Sequence, residues 1–175
     1  MTIYIALLRG INVGGSRKVP MAQLREAFVG AGATDVVTYI QSGNVALRHP
    51  ARSVDELRVE LEGAIEASFG FEVPVVLRTK AQLAAVVEHN PYPTDEPTQL
   101  SVVFFNEGPA PGAFDHVDAA AAAPEEFLVR GNEVYLHLPN GMGRAKLPPL
   151  MGKALAAGTA RNWRTVRKLV DLASA

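Results

Sequence analysis

The chain of 175 residues contains no cysteine. Disulfides, thiolate nucleophiles and cysteine-bound zinc are therefore excluded. No apolar run approaches the roughly 20 residues that cross a bilayer, and the first apolar run, residues 3–8, has no cationic segment before it as a secretory leader would. The chain is thus expected to be unexported and cytoplasmic, with no membrane partner. The formal net charge is only −1, so there is no overall pull toward nucleic acid. The four histidines, His49, His89, His116 and His137, are dispersed without metal-ligand spacing, and no metal is expected. Gly10-Ile-Asn-Val-Gly-Gly-Ser lacks the Lys of a P-loop. A Rossmann glycine pattern and a nucleophile elbow are also missing, so no cofactor is expected. Asn44-Val-Ala-Leu-Arg48 has no aromatic residue, which disfavours RNA recognition by base stacking on a sheet.

Charge is scarce locally rather than globally. Residues 81–129 hold eight acids and no Lys or Arg, whereas residues 141–170 hold seven basic residues and no acid. Arg outnumbers Lys 12 to 5 and alanine is abundant, a composition that fits a GC-rich bacterial genome. The stretch Arg9 to Pro20 also has no acid. It offers Arg9, Arg17 and Lys18, the glycines Gly10, Gly14 and Gly15, and Asn12. Glycines let backbone N–H groups turn toward an anion, and a helix N-terminus behind them adds partial positive charge.

Periodicity places this stretch between a strand and a helix. Residues 3–9 are apolar in both alternating sets, as in a sheet covered on both faces. Pro20 opens a helix that Gly30 or Gly32 ends. Strands follow at 36–40 and 44–48, with Ser42-Gly43 as a two-residue hairpin signal. Ser53 and Glu56 form a capping box for a helix that runs to Gly70, and a strand is expected at 72–78. The order β-α-β-β-α-β is that of a ferredoxin-like split βαβ over residues 3–78, and the fold class is α+β. Thr79 with Gln82 caps a third helix. Beyond the Pro-rich loop at 90–97, strands are expected at 100–105, 126–130 and 133–138 and helices at 113–122, 147–156 and 162–173. This second part reads β-α-β-β-α-α, without a last strand. The expected subdomains are 1–90 and 91–175.

In a ferredoxin-like sheet, order 4-1-3-2, the end of the first strand lies beside the start of the third. The Arg9–Lys18 loop is then next to Gln41, Ser42 and Asn44. Two further basic groups are candidates for the same anion: Arg144 and Lys146 in a glycine loop, and Arg161, Asn162 and Arg164 at the start of the last helix. Cations there oppose the helix dipole unless an anion offsets them. Trp163 is read as a core anchor. Glycines in such loops also serve simply as turn residues, and Asn beside Gly also supports left-handed backbone.

Four strings carry a resemblance: Ala6-Leu-Leu-Arg-Gly-Ile-Asn-Val-Gly-Gly15, Lys18-Val-Pro-Met21, Tyr39-Ile-Gln-Ser-Gly-Asn-Val45 and Thr159-Ala-Arg-Asn-Trp-Arg-Thr-Val166. Together they resemble the bacterial family called domain of unknown function 1697. In similar proteins the basic loop runs closer to Gly-Arg-Ser-Lys-Leu-Thr; here it is Gly143-Arg-Ala-Lys-Leu-Pro148. The resemblance implies an α+β fold with a ferredoxin-like part and implies no activity. Two function classes are expected from the residues: a binding module for a phosphate-bearing partner (a nucleotide, another small molecule or an RNA backbone), or an enzyme acting on a phosphorylated small molecule.

Overall fold

The computed structural model describes residues 1–51 and 53–175. Its strands β1 (Thr2–Leu8), β2 (Thr34–Tyr39), β3 (Asn44–His49) and β4 (Val75–Thr79) and helices α1 (Met21–Gly30) and α2 (Val54–Phe69) follow the ferredoxin-like order. The sheet order is β2-β3-β1-β4, and all neighbours are antiparallel. Residues 4–8 of β1 are buried throughout, as two apolar sets require. Tyr4, Ala6 and Leu8 join Leu24 and Phe28 of α1 and Leu57, Leu61 and Ile65 of α2 in one core. Helix α2 starts where Ser53 Oγ accepts the Glu56 N–H at 3.1 Å and stops at Gly70, which is left-handed. Both signals were visible in sequence and both cap orphan backbone groups.

The hairpin between β2 and β3 differs from expectation. Tyr39 pairs with Asn44, so the turn has four residues, 40–43, rather than two. Gly43 explains it. Its φ is +80°, and a Cβ there would sit 2.7 Å from Leu8 Cβ and 2.8 Å from Ile11 Cδ1. Its carbonyl accepts the Leu8 N–H at 2.8 Å. The turn is drawn tightly over the end of β1, and only glycine fits the crossing. Strand β4 starts at Val75 rather than at residue 72, because Pro74 cannot donate to a ladder; its carbonyl instead accepts the Arg9 N–H at 3.0 Å.

A second sheet, β6-β7-β5-β8, is built from β5 (Leu100–Phe104), β6 (Glu126–Arg130), β7 (Glu133–His137) and β8 (Thr159–Asn162), again antiparallel. Strand β8 corrects the expected β-α-β-β-α-α order: the last strand is present. The second sheet therefore repeats the strand order of the first. The helix expected at 113–122 shrinks to α4 (Ala119–Ala122), capped by Asp118 and ended at Ala123; Gly112, at φ +77°, sits in turns ahead of it. The helix expected at 147–156 splits into α5 (Leu147–Met151) and α6 (Lys153–Ala156), because Gly152 adopts φ 68°, ψ −147° between them. Helices α3 (Lys80–Glu88) and α7 (Trp163–Ser174) follow β4 and β8. The chain forms two compact units, Met1–Ala85 with Leu169–Ala175, and Val86–Lys168.

Candidate functional site

The loop after β1 is held by one side chain. Asn12 Nδ2 donates to Val19 O at 3.0 Å and to Gln41 O at 2.7 Å, while its Oδ1 accepts the Val19 N–H at 2.8 Å. The Asn12 backbone N–H donates to Arg17 O at 3.1 Å. One residue therefore closes the base of the loop and ties it to the neighbouring hairpin. The sheet order brings these two turns side by side, as expected. Asn12 has φ 53°, a left-handed conformation that Asn tolerates and most residues do not.

Above this brace, Val13 to Ser16 make a two-residue turn, with Ser16 N–H donating to Val13 O at 3.1 Å. Gly14 and Gly15 have φ +59° and +78°, the type I′ geometry that needs glycine-like residues. Both are exposed. Arg17, at φ 49°, donates from Nη2 to Glu72 O at 2.6 Å and lies 5.7 Å over the Phe71 ring. Its guanidinium also fills the space beside Gly10, 3.6 Å from where a Cβ would stand. Arg17 is therefore fixed in direction. Neither Arg17 nor Lys18 forms an ion pair among the described residues, and Lys18 is exposed. Arg9 is half-buried.

The hairpin contributes less polar surface than its sequence suggests. Asn44 is buried and donates from Nδ2 to Tyr39 O at 3.1 Å and to Ser42 Oγ at 2.9 Å. It closes the turn from inside. Gln41 is exposed and presents its carbonyl to Asn12. Val13 and Ile40, 66% and 51% exposed, are the chain neighbours of the bonded pair Asn12 and Gln41.

The remaining candidates lie in the second unit. Around Lys146 the expected anion is one of the chain's own carboxylates. Glu125, 5% exposed, accepts the Lys146 N–H with both oxygens at 2.9 Å and the Leu147 N–H at 2.8 Å. It caps α5 from outside the helix, and Lys146 Nζ reaches back to Ala123 O at 3.0 Å. Arg144 is exposed. Arg161 is on β8 rather than at a helix start, paired with Val102. Its Nη1 donates to Thr159 Oγ1 at 2.7 Å and to Ala160 O at 2.8 Å. Burial lowers its pKa to about 10, which leaves it charged at neutral pH. Asn162 Oδ1 accepts the Thr165 N–H at 2.9 Å and so caps α7. Trp163 is buried and Arg164 is exposed. The same device precedes α3: Arg78, buried and paired with Ile5, donates to Leu77 O at 2.8 Å, and Thr79 and Gln82 cap the helix reciprocally.

These features define an α+β protein with two ferredoxin-like sheets and a braced basic loop. The family model described as "Protein of unknown function (DUF1697)" matches residues 1–135, and the chain belongs to that family. Among solved structures it is similar to the conserved bacterial protein SP0830 from Streptococcus pneumoniae, with a TM-score of 0.79 at 24% identity, covering 100% of this chain and 99% of that one. At that identity the likeness shows the fold. No protein of curated function matches. No helix among the described residues is long and apolar enough to cross a membrane.

Proposed function

We propose that this protein is a cytoplasmic bacterial binding module for a phosphate-bearing ligand, a nucleotide or an RNA backbone, and that the Arg9–Lys18 loop is its contact surface. The observation that carries this is the brace at Asn12. It holds an acid-free, exposed turn at a fixed place beside Gln41, with Arg17 pinned by Glu72 O and Phe71. A pre-ordered cationic loop loses little conformational entropy on meeting an anion. Residues 9–20 and 40–44 include no His, Asp or Glu, so no general base stands on the loop or turn, and binding is favoured over catalysis.

Fluorescence anisotropy with a labelled mononucleotide and with RNA oligomers of increasing length tests this reading. A charge-assisted hydrogen bond contributes on the order of 1.5–3 kcal/mol, so Lys18→Ala should weaken binding by roughly tenfold to a hundredfold. Length-dependent binding that falls steeply with salt identifies a polyanion. Affinity equal for mononucleotide and oligomer identifies a single phosphate group. Binding unaffected by Lys18→Ala and Arg17→Ala, or no binding of any phosphate-bearing probe, would rule this loop out.

A further inference from the structure

We propose that the exposed edge of β6 is a self-association surface, on which a second copy of this chain adds its own β6 antiparallel and joins two four-stranded sheets into one of eight. An open strand edge offers a row of unpaired backbone groups, and proteins protect such edges with bulges, inward charges, prolines or covering side chains. Three of the four edge strands here carry such a device. Strand β2 is irregular between Thr34 and Val37, with Asp35 left-handed and paired to Arg48 at 3.0 Å. On β4 the Val75 N–H is taken by Glu62 Oε1 at 2.9 Å, and Arg78 covers the Leu77 carbonyl. The four-residue β8 has Arg161 over the Ala160 carbonyl. Strand β6, Glu-Phe-Leu-Val-Arg, has an unbroken register, no bulge, no proline and no lysine.

The edge is also self-complementary. The Phe105 N–H donates to Asn132 O, so alternate residues of β7 face β5, and Glu133, Tyr135 and His137 face β6. Their partners Arg130, Leu128 and Glu126 spend their backbone groups on β7. Phe127 and Val129 therefore direct theirs outward. Antiparallel pairing about a twofold axis at Leu128 sets Phe127 opposite Val129 of the other copy, and the outward N–H and C=O groups then match as two hydrogen-bonded pairs. The same register sets Glu126 opposite Arg130 of the other copy, on one face and twice over; Arg130 Nη1 donates to His89 O of its own chain, and a guanidinium has further donors for a carboxylate. A parallel register would oppose like charges. Hydrogen-bond phase and charge therefore select one arrangement, an isologous one. Val129, 40% exposed, gains cover in it.

Sedimentation equilibrium on the full chain from about 1 to 200 μM tests this, since an interface of one short strand is small and its dimer is concentration-dependent. The expected result is a monomer–dimer equilibrium. Val129→Pro removes an outward N–H that β7 does not use, a position where an edge strand accepts proline; it should raise the dissociation constant at least tenfold with unchanged circular dichroism. Arg130→Glu should raise it likewise, and Glu126→Arg with Arg130→Glu should restore it, which separates pairing from folding. A monomer throughout the range, or a dimer indifferent to both Val129→Pro and the charge exchange, would overturn the proposal.

Discussion

Replacing Asn12 with Ala removes the brace of the basic loop, and the structure sets the size of the loss. Three side-chain hydrogen bonds disappear. The most costly consequence is at Val19, which is fully buried and whose N–H is left without its acceptor; an orphaned buried donor costs about 1–3 kcal/mol. Each donor bond from Nδ2 adds about 0.5–1.5 kcal/mol. Alanine at φ 53° adds about 1–2 kcal/mol, because it has no side-chain bond to offset the left-handed strain. The sum is about 3–8 kcal/mol, a large share of the 5–15 kcal/mol that holds a typical domain. Urea unfolding followed by circular dichroism measures it. Asn12→Gly separates the parts: it loses the same bonds without the strain and should recover about 1–2 kcal/mol of the loss. Asn12→Asp adds a sign test. An ionised carboxylate would face the Val19 and Gln41 carbonyls, so its folded-state pKa should rise above the usual value of about 3.9. The folded state then holds the proton more tightly than the unfolded, and the variant should be most stable in acid and weaken as pH rises through the folded pKa. A loss below about 1 kcal/mol in Asn12→Ala, or an Asn12→Gly variant as stable as wild type, would refute the bracing role.

Gly43→Ala should cost more than about 3 kcal/mol, since its Cβ would meet Leu8 and Ile11 at 2.7 and 2.8 Å, whereas Gly14→Ala, with nothing within 4 Å, should cost only the roughly 1–2 kcal/mol of its positive φ; paired urea melts compare them. Glu125→Ala leaves the Lys146 and Leu147 N–H groups without their cap and should cost about 2–4 kcal/mol, with Glu125→Gln recovering part through its one remaining oxygen. Tyr135 donates to Val86 O at 2.8 Å, and burial, then Glu133, push its pKa up to about 12 against an opposing effect of Arg130. Because the folded-state value is raised, its contribution is full below about pH 10 and is lost between 10 and 12; alkaline denaturation should therefore be shallower in Tyr135→Phe.

The first sheet was legible because each element carried a local signal that agreed with the global order. Strand β1 has two apolar sets, Ser53 and Gly70 bracket α2, and Thr79 with Gln82 opens α3. Strand β8 was not legible because its polarity is inverted. Thr159 and Arg161 are the buried pair, and Ala160 and Asn162 are exposed, so no apolar alternation marks it. The four-residue turn at 40–43 has no local signal, because the demand on Gly43 comes from Leu8 and Ile11, contacts that no local window includes. For the site, the adjacency of the two turns followed from topology, but the roles within it did not. Asn12 and Asn44 resembled ligand groups, and the structure uses both to hold backbone. Only the setting of Asn12 among glycines hinted at its left-handed φ.

The two basic glycine loops of this chain look alike in sequence and differ in structure, and the difference bears on which one is proposed as a contact surface. Both lack acids nearby in sequence. The loop at 141–146 has its anion supplied from 21 residues away, since Glu125 accepts both N–H groups that open α5, and Lys146 spends its ammonium on a carbonyl. A second anion there would meet a carboxylate already in place. The loop at 9–18 is built the other way. Its neutral side chains are consumed in making it stiff, its glycines are turned outward, and Lys18 carries an exposed charge without an acid against it among the described residues. Clustered cations repel one another, and stiffening such a loop without an anion costs stability that a floppy loop would avoid. The Lys18→Ala variant should accordingly melt no lower than wild type without phosphate and gain less from added phosphate. A lower melting temperature with an undiminished phosphate response would mean that the loop serves the fold alone.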